Sequence, residues 1–587
     1  MSIKETFRGR ITPKALPAAA DRPAVKDDLD LAAMARAALN YLRGNPDPAR
    51  NYECKFSLGP LGIPCHVPLV PPNKYGYDPV SIADTDSRMD TQYANMRDMT
   101  GQTEPDPVEL GVRRRILGYQ REDNLSWANP SALTGKTEEG EWATTWASGK
   151  LMMALAENYK RKGDERDREK ARAIFLAVKG LASWDGKRAF YPCGPSVYKD
   201  GKWITDGWAE QHSRNYPAVV EPCMRYWECC GDQEALDFAR AVAEGFLAES
   251  QPNMREQRIN PETGEFAGHV HLHTHAIWGV AHLGAVLNEK KFLDYASAAY
   301  DFVLSKGTDF GWYPEFVPQG EWRTEICVVG DMVSLGAWLA RGGQTRRWED
   351  VERTIRNEIE RSQFFLTPAF LDLFHKLHAD KPREVVEEAL GELRKLEGGF
   401  VAQAAFDDWV SYTESVGQSG MNANGIQMMG CCPPEGMRAV WEAWRSVVED
   451  RPQGVFVNLA LSRDHPSARV TAYRPEAGRL DVEAKKAASF FLRPPAWADR
   501  AAVRIAHDGR DTPFRWGGPE NAYALCENAR PGELFTLSWR PESFTQVFEP
   551  ASIPDRTQKI AVHWLGNTVV GVEPPGKYLP MFAGEKP

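Results

Sequence analysis

Two short stretches hold four residues whose types and spacing suit a metal. TEIC, 324–327, sets Glu325 and Cys327 two apart, and about a hundred residues later GCCPPEG, 430–436, sets Cys431 beside Cys432. Adjacent cysteines rarely bond to each other, because the eight-membered ring strains both the peptide and the disulfide. Two prolines follow the pair, and Met437, Val440, Trp441, Trp444, Val447 and Val448 then fall on one helical face. Proline suits a helix start, where no N–H is needed, so both thiols stand just before a helix N-terminus. Free N–H groups and the macrodipole there favour thiolate. Three sulfurs and one carboxylate suit tetrahedral Zn²⁺. The spacing alone leaves ordinary buried thiols open as the alternative.

Other groups compete for chemical roles. GHVHLHTHAIW, 268–278, alternates His269, His271, His273 and His275, which reads as one side of an extended strand running into a helix. Metal binding, substrate hydrogen bonding and a solvated polar edge all fit that pattern. His212 is expected at a helix start, as a cap or as a substrate contact. Trp142, Trp146, Trp208 and Trp312 flank expected helix starts and loops, where an indole face can stack on a sugar or simply pack. Cys229 and Cys230 close an amphipathic helix, where the dipole disfavours thiolate, and read as core or turn residues.

The elements that must position these groups change character along the chain. Residues 1–135 are rich in proline and glycine, contain one clear helix (DLDLAAMARAALNYLRG), and read as a lead-in arm packed on a larger body. Residues 136–450 repeat amphipathic helical hairpins, with Gly-Asp turns at 163–164 and 231–232. Repeated hairpins on this scale predict an (α/α)6 toroid. Residues 451–587 switch to short alternating runs such as GVFVNLALS and SARVTAYRP, which predict an appended β-sandwich. The fold class is therefore mainly α with appended β. A toroid presents a concave mouth, so the site is expected in the helical part.

Bulk composition narrows the partner. The 587 residues are 42% hydrophobic and 26% charged with a net charge of −10, which argues against nucleic acid or an anionic membrane. No stretch resembles a signal-peptide core or a membrane span, so a cytoplasmic location is the expectation. Ten cysteines are too few for a disulfide scaffold, and the 19 tryptophans favour a small carbohydrate as the ligand. A homodimer is allowed but not required.

The pairing of TEIC with GCCPPEG resembles the zinc-dependent cysteine glycosidases of the β-L-arabinofuranosidase family, glycoside hydrolase family 127 and its relatives. HLHT at 271–274 stands where that family has H-x-N-T, and LRPPAWA at 492–498 where it has a similar Pro-Trp-Ala segment. The resemblance spans roughly residues 140–550. It implies that Glu325, Cys327, Cys431 and Cys432 hold Zn²⁺, that Cys431 is the nucleophile, and that His271 contacts substrate. It also implies an acid/base sixteen residues before Glu325, which is Asp309 here, with Glu315 as the alternative if the loop carries a shift. Met429 and His273 depart from the family's cysteine and asparagine, so the sugar need not be a β-L-arabinofuranoside.

The expected function is retaining exo-glycoside hydrolysis by a zinc-bound thiolate. His271, His273, His212, Trp142 and Trp312 are the expected substrate contacts. Two rivals remain open. One is a metal-free toroid enzyme, a uronide hydrolase or sugar epimerase, which would be indifferent to Cys431. The other is a carbohydrate-binding protein with structural zinc, which would bind without turnover.

Overall fold

The structure, a computed structural model, describes residues 10–14, 24–62, 76–77, 82–128, 142–191, 197–199, 202–204, 216–249, 259–317, 323–411, 425–548 and 559–583. Its α-helices of eight residues or more, in chain order, are α1 (Leu31–Gly44), α2 (Ile82–Thr100), α3 (Pro107–Leu117), α4 (Thr145–Lys162), α5 (Glu165–Gly180), α6 (Val220–Cys230) and α7 (Gln233–Glu249). They continue with α8 (Val270–Leu287), α9 (Lys290–Leu304), α10 (Ile326–Arg341), α11 (Arg347–Thr354), α12 (Pro368–Leu377), α13 (Arg383–Arg394) and α14 (Cys432–Val447). Helix α2 packs on α4, α4 on α6, α6 on α8, α8 on α10, α10 on α14, and α14 back on α2. These six form the closed inner ring of an (α/α)6 toroid. Outer helices pair with them, as α5 does with α4, α7 with α6 and α9 with α8.

The hairpin turns follow from local chemistry. Gly163 and Gly231 close α4 and α6 in the left-handed conformation, at φ 69° and 71°, which glycine adopts without a Cβ penalty. Asp164 then caps α5 by accepting from the Arg166 N–H, and Asp232 accepts from the Glu234 N–H. Cys229 and Cys230 end α6 partly buried against the core, and burial pushes the Cys230 thiol up to about 12. That is the turn position expected of them.

Helix α2 lies within the stretch expected to be a lead-in, yet the ring does not close without it. Its apolar stripe is short, Met89, Tyr93, Met96 and Met99, and runs from the middle of the helix to its end. Its buried residues include Asp84, Asp86, Arg88, Asp90, Gln92 and Asn95. Burying such groups demands partners, and they are present: Arg88 on Asp84 at 2.8 Å, Arg115 on Asp86 at 2.8 Å and Arg113 on Asp90 at 2.6 Å.

Beyond α14 the chain forms the expected sandwich. A five-stranded sheet built around Ala488–Leu492 faces a six-stranded sheet built around Leu534–Ser538, and Phe490 meets Phe535 between them at 6.3 Å. A third sheet pairs Arg10–Lys14, at the start of the chain, with Ser543–Phe548. One buried and one partly buried ion pair fasten sandwich to toroid. Arg493, in LRPPAWA, donates to Glu349 at 3.0 Å, and Arg341 at the end of α10 donates to Glu449 at 2.7 Å.

The loop 400–411 ties the last residues of the described chain to the toroid. Asp407 accepts from the Gly576 and Phe582 N–H groups, at 2.9 and 3.0 Å. Asp408 accepts from Tyr578 and Leu579, at 2.7 and 2.9 Å. No helix among the described residues is long and apolar enough to cross a membrane.

Candidate metal and catalytic site

Three inner helices deliver the cluster from their first residues. Glu325 is the N-cap of α10, Cys431 of α14 and His269 of α8, and none of the three side chains caps its own helix. Each is therefore left to face its neighbours across the ring mouth. Three positive helix ends meet there, and Glu325 and Cys431 carry negative charge when ionised, while the cationic His269 pairs with Glu325.

Ligand atoms of Glu325, Cys327, Cys431 and Cys432 all lie within 4.8 Å of one another. Cys327 and Cys432 are buried, and Cys431 is partly exposed. The Cys431 and Cys432 sulfurs are 3.8 Å apart, those of Cys327 and Cys432 3.2 Å, and Cys432 Sγ lies 3.8 Å from Glu325 Oε1. Tetrahedral Zn–S bonds of about 2.3 Å hold two sulfurs about 3.8 Å apart. The donor set thus fits Zn²⁺ in chemistry, the Cys431–Cys432 spacing matches it, and Cys327 and Cys432 stand closer together than a bound ion would hold them. Hydrogen bonds from the other two thiols hold Cys431 well below the usual thiol range, whereas burial pushes Cys327 and Cys432 up.

A second group shares Glu325. His269, Glu315 and Glu325 also bring their ligand atoms within 4.8 Å. Strand register sets this up: Gly268–His269 pairs antiparallel with Phe316–Val317, so His269 sits opposite Phe316, and the Val270 N–H donates to the Glu315 carbonyl. Glu315 accepts from Arg323 and, at 2.9 Å, from Gln403 Nε2. Burial and the Glu325 charge raise Glu315 to about 7, against the pull of Arg323. Glu325 goes the other way. Burial would raise it, but the contact with His269 prevails and holds it at about 2. Burial would lower His269, and Glu325 instead lifts it to about 9.

The histidine run does not alternate on a strand. Helix α8 begins at Val270, so His271 and His275 share one face at i and i+4 while His273 turns to another. His271 Nδ1 contacts Asp331 Oδ2 at 2.7 Å and His275 Nδ1 contacts Oδ1 at 3.3 Å. His275 Nε2 meets Lys150 Nζ at 2.8 Å, and burial with that cation lowers the imidazole to about 3. His275 is therefore neutral, with its proton on Nδ1. The Nε2 of His271, which is 4% exposed, has no partner among the described residues. His273 lies flat on Phe266 at 4.3 Å, with Nδ1 against the His269 carbonyl at 2.9 Å.

The other expected site residues divide. Asp309 accepts from Gln546 Nε2 of the third sheet at 2.9 Å and belongs to neither ligand group, so Glu315 is the carboxylate that joins Glu325. Trp312 is wholly buried and donates its indole N–H to the Ala404 carbonyl at 3.2 Å, which makes it a core residue with no face for a sugar. His212, Trp208 and the side chain of Trp142 lie outside the described residues. Trp146 stands 4.7 Å from the His275 ring and 5.9 Å from that of His271, with Arg88 and Lys150 each 5.3 Å from its centroid.

A buried charge network behind the cluster escaped the sequence reading. Arg88 of α2 donates to Glu435 of α14 at 2.6 Å. Arg438 of α14 reaches Asp331 of α10 at 2.8 Å, and Arg438 also meets Glu435. The only sequence trace of it is spacing: Asp331 follows Cys327 by one helical turn, and Glu435 and Arg438 are i and i+3 just after the thiols.

No protein-family model matches the sequence, and no curated protein matches it either. Solved structures do. A glycoside hydrolase family 127 β-L-arabinofuranosidase from Geobacillus stearothermophilus T6 superposes with a TM-score of 0.59 at 11% identity, over 95% of this chain and 86% of that one. A second family 127 β-arabinofuranosidase gives 0.58 at 13%, over 95% and 85%. A further glycoside hydrolase gives 0.55 at 13%, over 83% and 77%. At these identities the likeness is one of fold: along nearly its whole length the chain has the architecture of the family 127 β-L-arabinofuranosidase structures.

Proposed function

We propose that this protein is a retaining exo-glycoside hydrolase that uses Cys431 as its nucleophile and acts on β-L-arabinofuranosides or related small sugars. The observation that carries the reading is the convergence of Glu325, Cys327, Cys431 and Cys432 beside a carboxylate, Glu315, held near 7. The family 127 fold supports it.

In this reading the four residues hold Zn²⁺, which when bound keeps the thiols ionised and makes sulfur a better leaving group. Cys431 Sγ attacks the anomeric carbon as Glu315 gives its proton to the departing glycosidic oxygen. Sugar is then bonded to Cys431 and Glu315 is a carboxylate. Glu315 next takes a proton from water, the water oxygen bonds to the anomeric carbon, and the Cys431 thiolate leaves with configuration retained. Arg323 and Gln403 orient Glu315, and Asp331 orients His271 so that Nε2 accepts from a sugar hydroxyl. Trp146 offers a ring face beside it.

The test is metal analysis of the purified protein together with a screen of 4-nitrophenyl glycosides that includes the β-L-arabinofuranoside. One equivalent of zinc, turnover, and a sugar adduct on Cys431 by mass spectrometry after rapid quenching are expected. Metal-free protein with full activity would sink the mechanism, and zinc with sugar binding but no turnover would leave a binding protein.

A further inference from the structure

We infer that His269 is a positioning residue for the metal ligand Glu325, engaging one carboxylate oxygen so that the other alone serves the metal. The inference rests on the four-residue zinc reading above. Its basis is a division of labour between the two oxygens of one carboxylate. Oε1 faces Cys432 Sγ at 3.8 Å, inside the sulfur cluster, and Oε2 meets His269 Nε2 at 2.5 Å on the opposite side. An oxygen already engaged by a hydrogen bond is the weaker donor of the two, which favours the other for the metal.

The imidazole is itself fixed. Its backbone is locked by the pairing of Gly268–His269 with Phe316–Val317, its ring lies 5.1 Å from that of Phe316 at 28°, and its carbonyl is engaged by His273. Gly268 takes φ 100°, a conformation that side chains rarely adopt, as the chain turns into α8 at His269. His269 and Glu325 are both helix N-caps, so their contact also joins the starts of two adjacent inner helices. Partners of this kind, one bond removed from the metal, fix ligand orientation, and their loss costs affinity.

The experiment is a zinc competition titration against a chromophoric chelator on the full chain, for the wild type, His269→Ala and His269→Gln. His269→Ala is expected to weaken zinc by about 10–100-fold, and His269→Gln, which keeps an N–H donor at similar reach, to recover most of that loss. Cobalt substitution adds a signature that a loss of general packing would not give. The intense visible bands of a four-coordinate site are expected to weaken in His269→Ala, as Glu325 brings its second oxygen to the metal, and to return in His269→Gln. If His269→Ala does not fold, as judged by far-ultraviolet circular dichroism of the metal-free chain, His269→Met compared with His269→Gln makes the same contrast between a side chain without and with a donor. Unchanged affinity and unchanged cobalt bands in the donor-free variants would overturn the inference while leaving the zinc reading intact. A wild-type chain that binds neither zinc nor cobalt would overturn both.

Discussion

Glu315 and Glu325 bring carboxylate oxygens within 4.8 Å of each other, yet their surroundings drive them apart in ionisation, one to about 7 and the other to about 2. Adjacent carboxylates separated in this way divide into a proton donor and a fixed anion. Glu315→Gln should therefore lower kcat/KM by about 10²–10⁴ on alkyl glycosides. The loss should shrink on 2,4-dinitrophenyl glycosides, whose leaving group needs no proton. Asp309→Asn, at a residue that belongs to neither ligand group, should leave turnover unchanged. Steady-state kinetics on the two leaving-group classes checks all three statements.

The two adjacent thiols should fail differently. Cys431→Ser should abolish turnover with loss of several orders of magnitude, because the attacking atom itself is replaced. Cys432, fully buried against Cys327 and Glu325, should show its loss first as metal depletion in Cys432→Ser. Inductively coupled plasma mass spectrometry beside activity on the same samples separates the outcomes.

Asp331 answers to His271, His275, Thr274 and Arg438 with no exposure to water. Removing it leaves Arg438 short of a buried counter-charge. Asp331→Ala should destabilise the fold by about 3–5 kcal/mol, measured by urea unfolding, with Asp331→Asn losing less.

Glu358 supplies a pH test away from the cluster. Burial raises its carboxyl to about 8, a rise eased by Ser362 and reinforced by the Asp407 charge. Between the ordinary carboxylate value and about 8 the folded state keeps a proton that the unfolded state has released. Stability should therefore fall across that window as pH rises, by about 1.4 kcal/mol per pH unit from this group. Glu358→Gln mimics the protonated form and should flatten the dependence, raising the melting temperature at pH 8 relative to wild type and changing it little at pH 5. Thermal scans at the two pH values decide it.

The Asp408 tether can be read by exchange. Asp408→Ala should free the amides of Tyr578 and Leu579, which hydrogen–deuterium exchange would register as lost protection at those two positions.

Much of this site was legible because cysteine is rare and its neighbours are local: an E-x-C and a C-C are each visible in a few letters. Gly-Asp turns announced the hairpins, and period-two runs the sandwich. Legibility failed where burial breaks the usual code. Helix α2 buries Asp84, Asp86, Arg88 and Asp90 through ion pairs, most of them with other segments, so its only apolar periodicity is the short run Met89, Tyr93, Met96 and Met99. The histidine run has Val270, Leu272 and Thr274 between its members, a pattern a strand and a buried helix share, and only the start of α8 at Val270 decides between them. The choice of Asp309 over Glu315 came from counting residues to Glu325, whereas pairing of Phe316 with His269 sets which carboxylate arrives.

The ring closes between its first and last members, with Arg88 of α2 reaching Glu435 of α14 across 347 positions of sequence. During synthesis, five inner helices emerge and can pair with their neighbours before the sixth leaves the ribosome. The sulfur pair arrives with that sixth helix, so the ligand set is completed only when the circle is. Loop closure over such a span is slow and entropically costly. A metal joining the N-terminal ends of α10 and α14 would therefore act as a late staple, and its uptake would report the final step of folding.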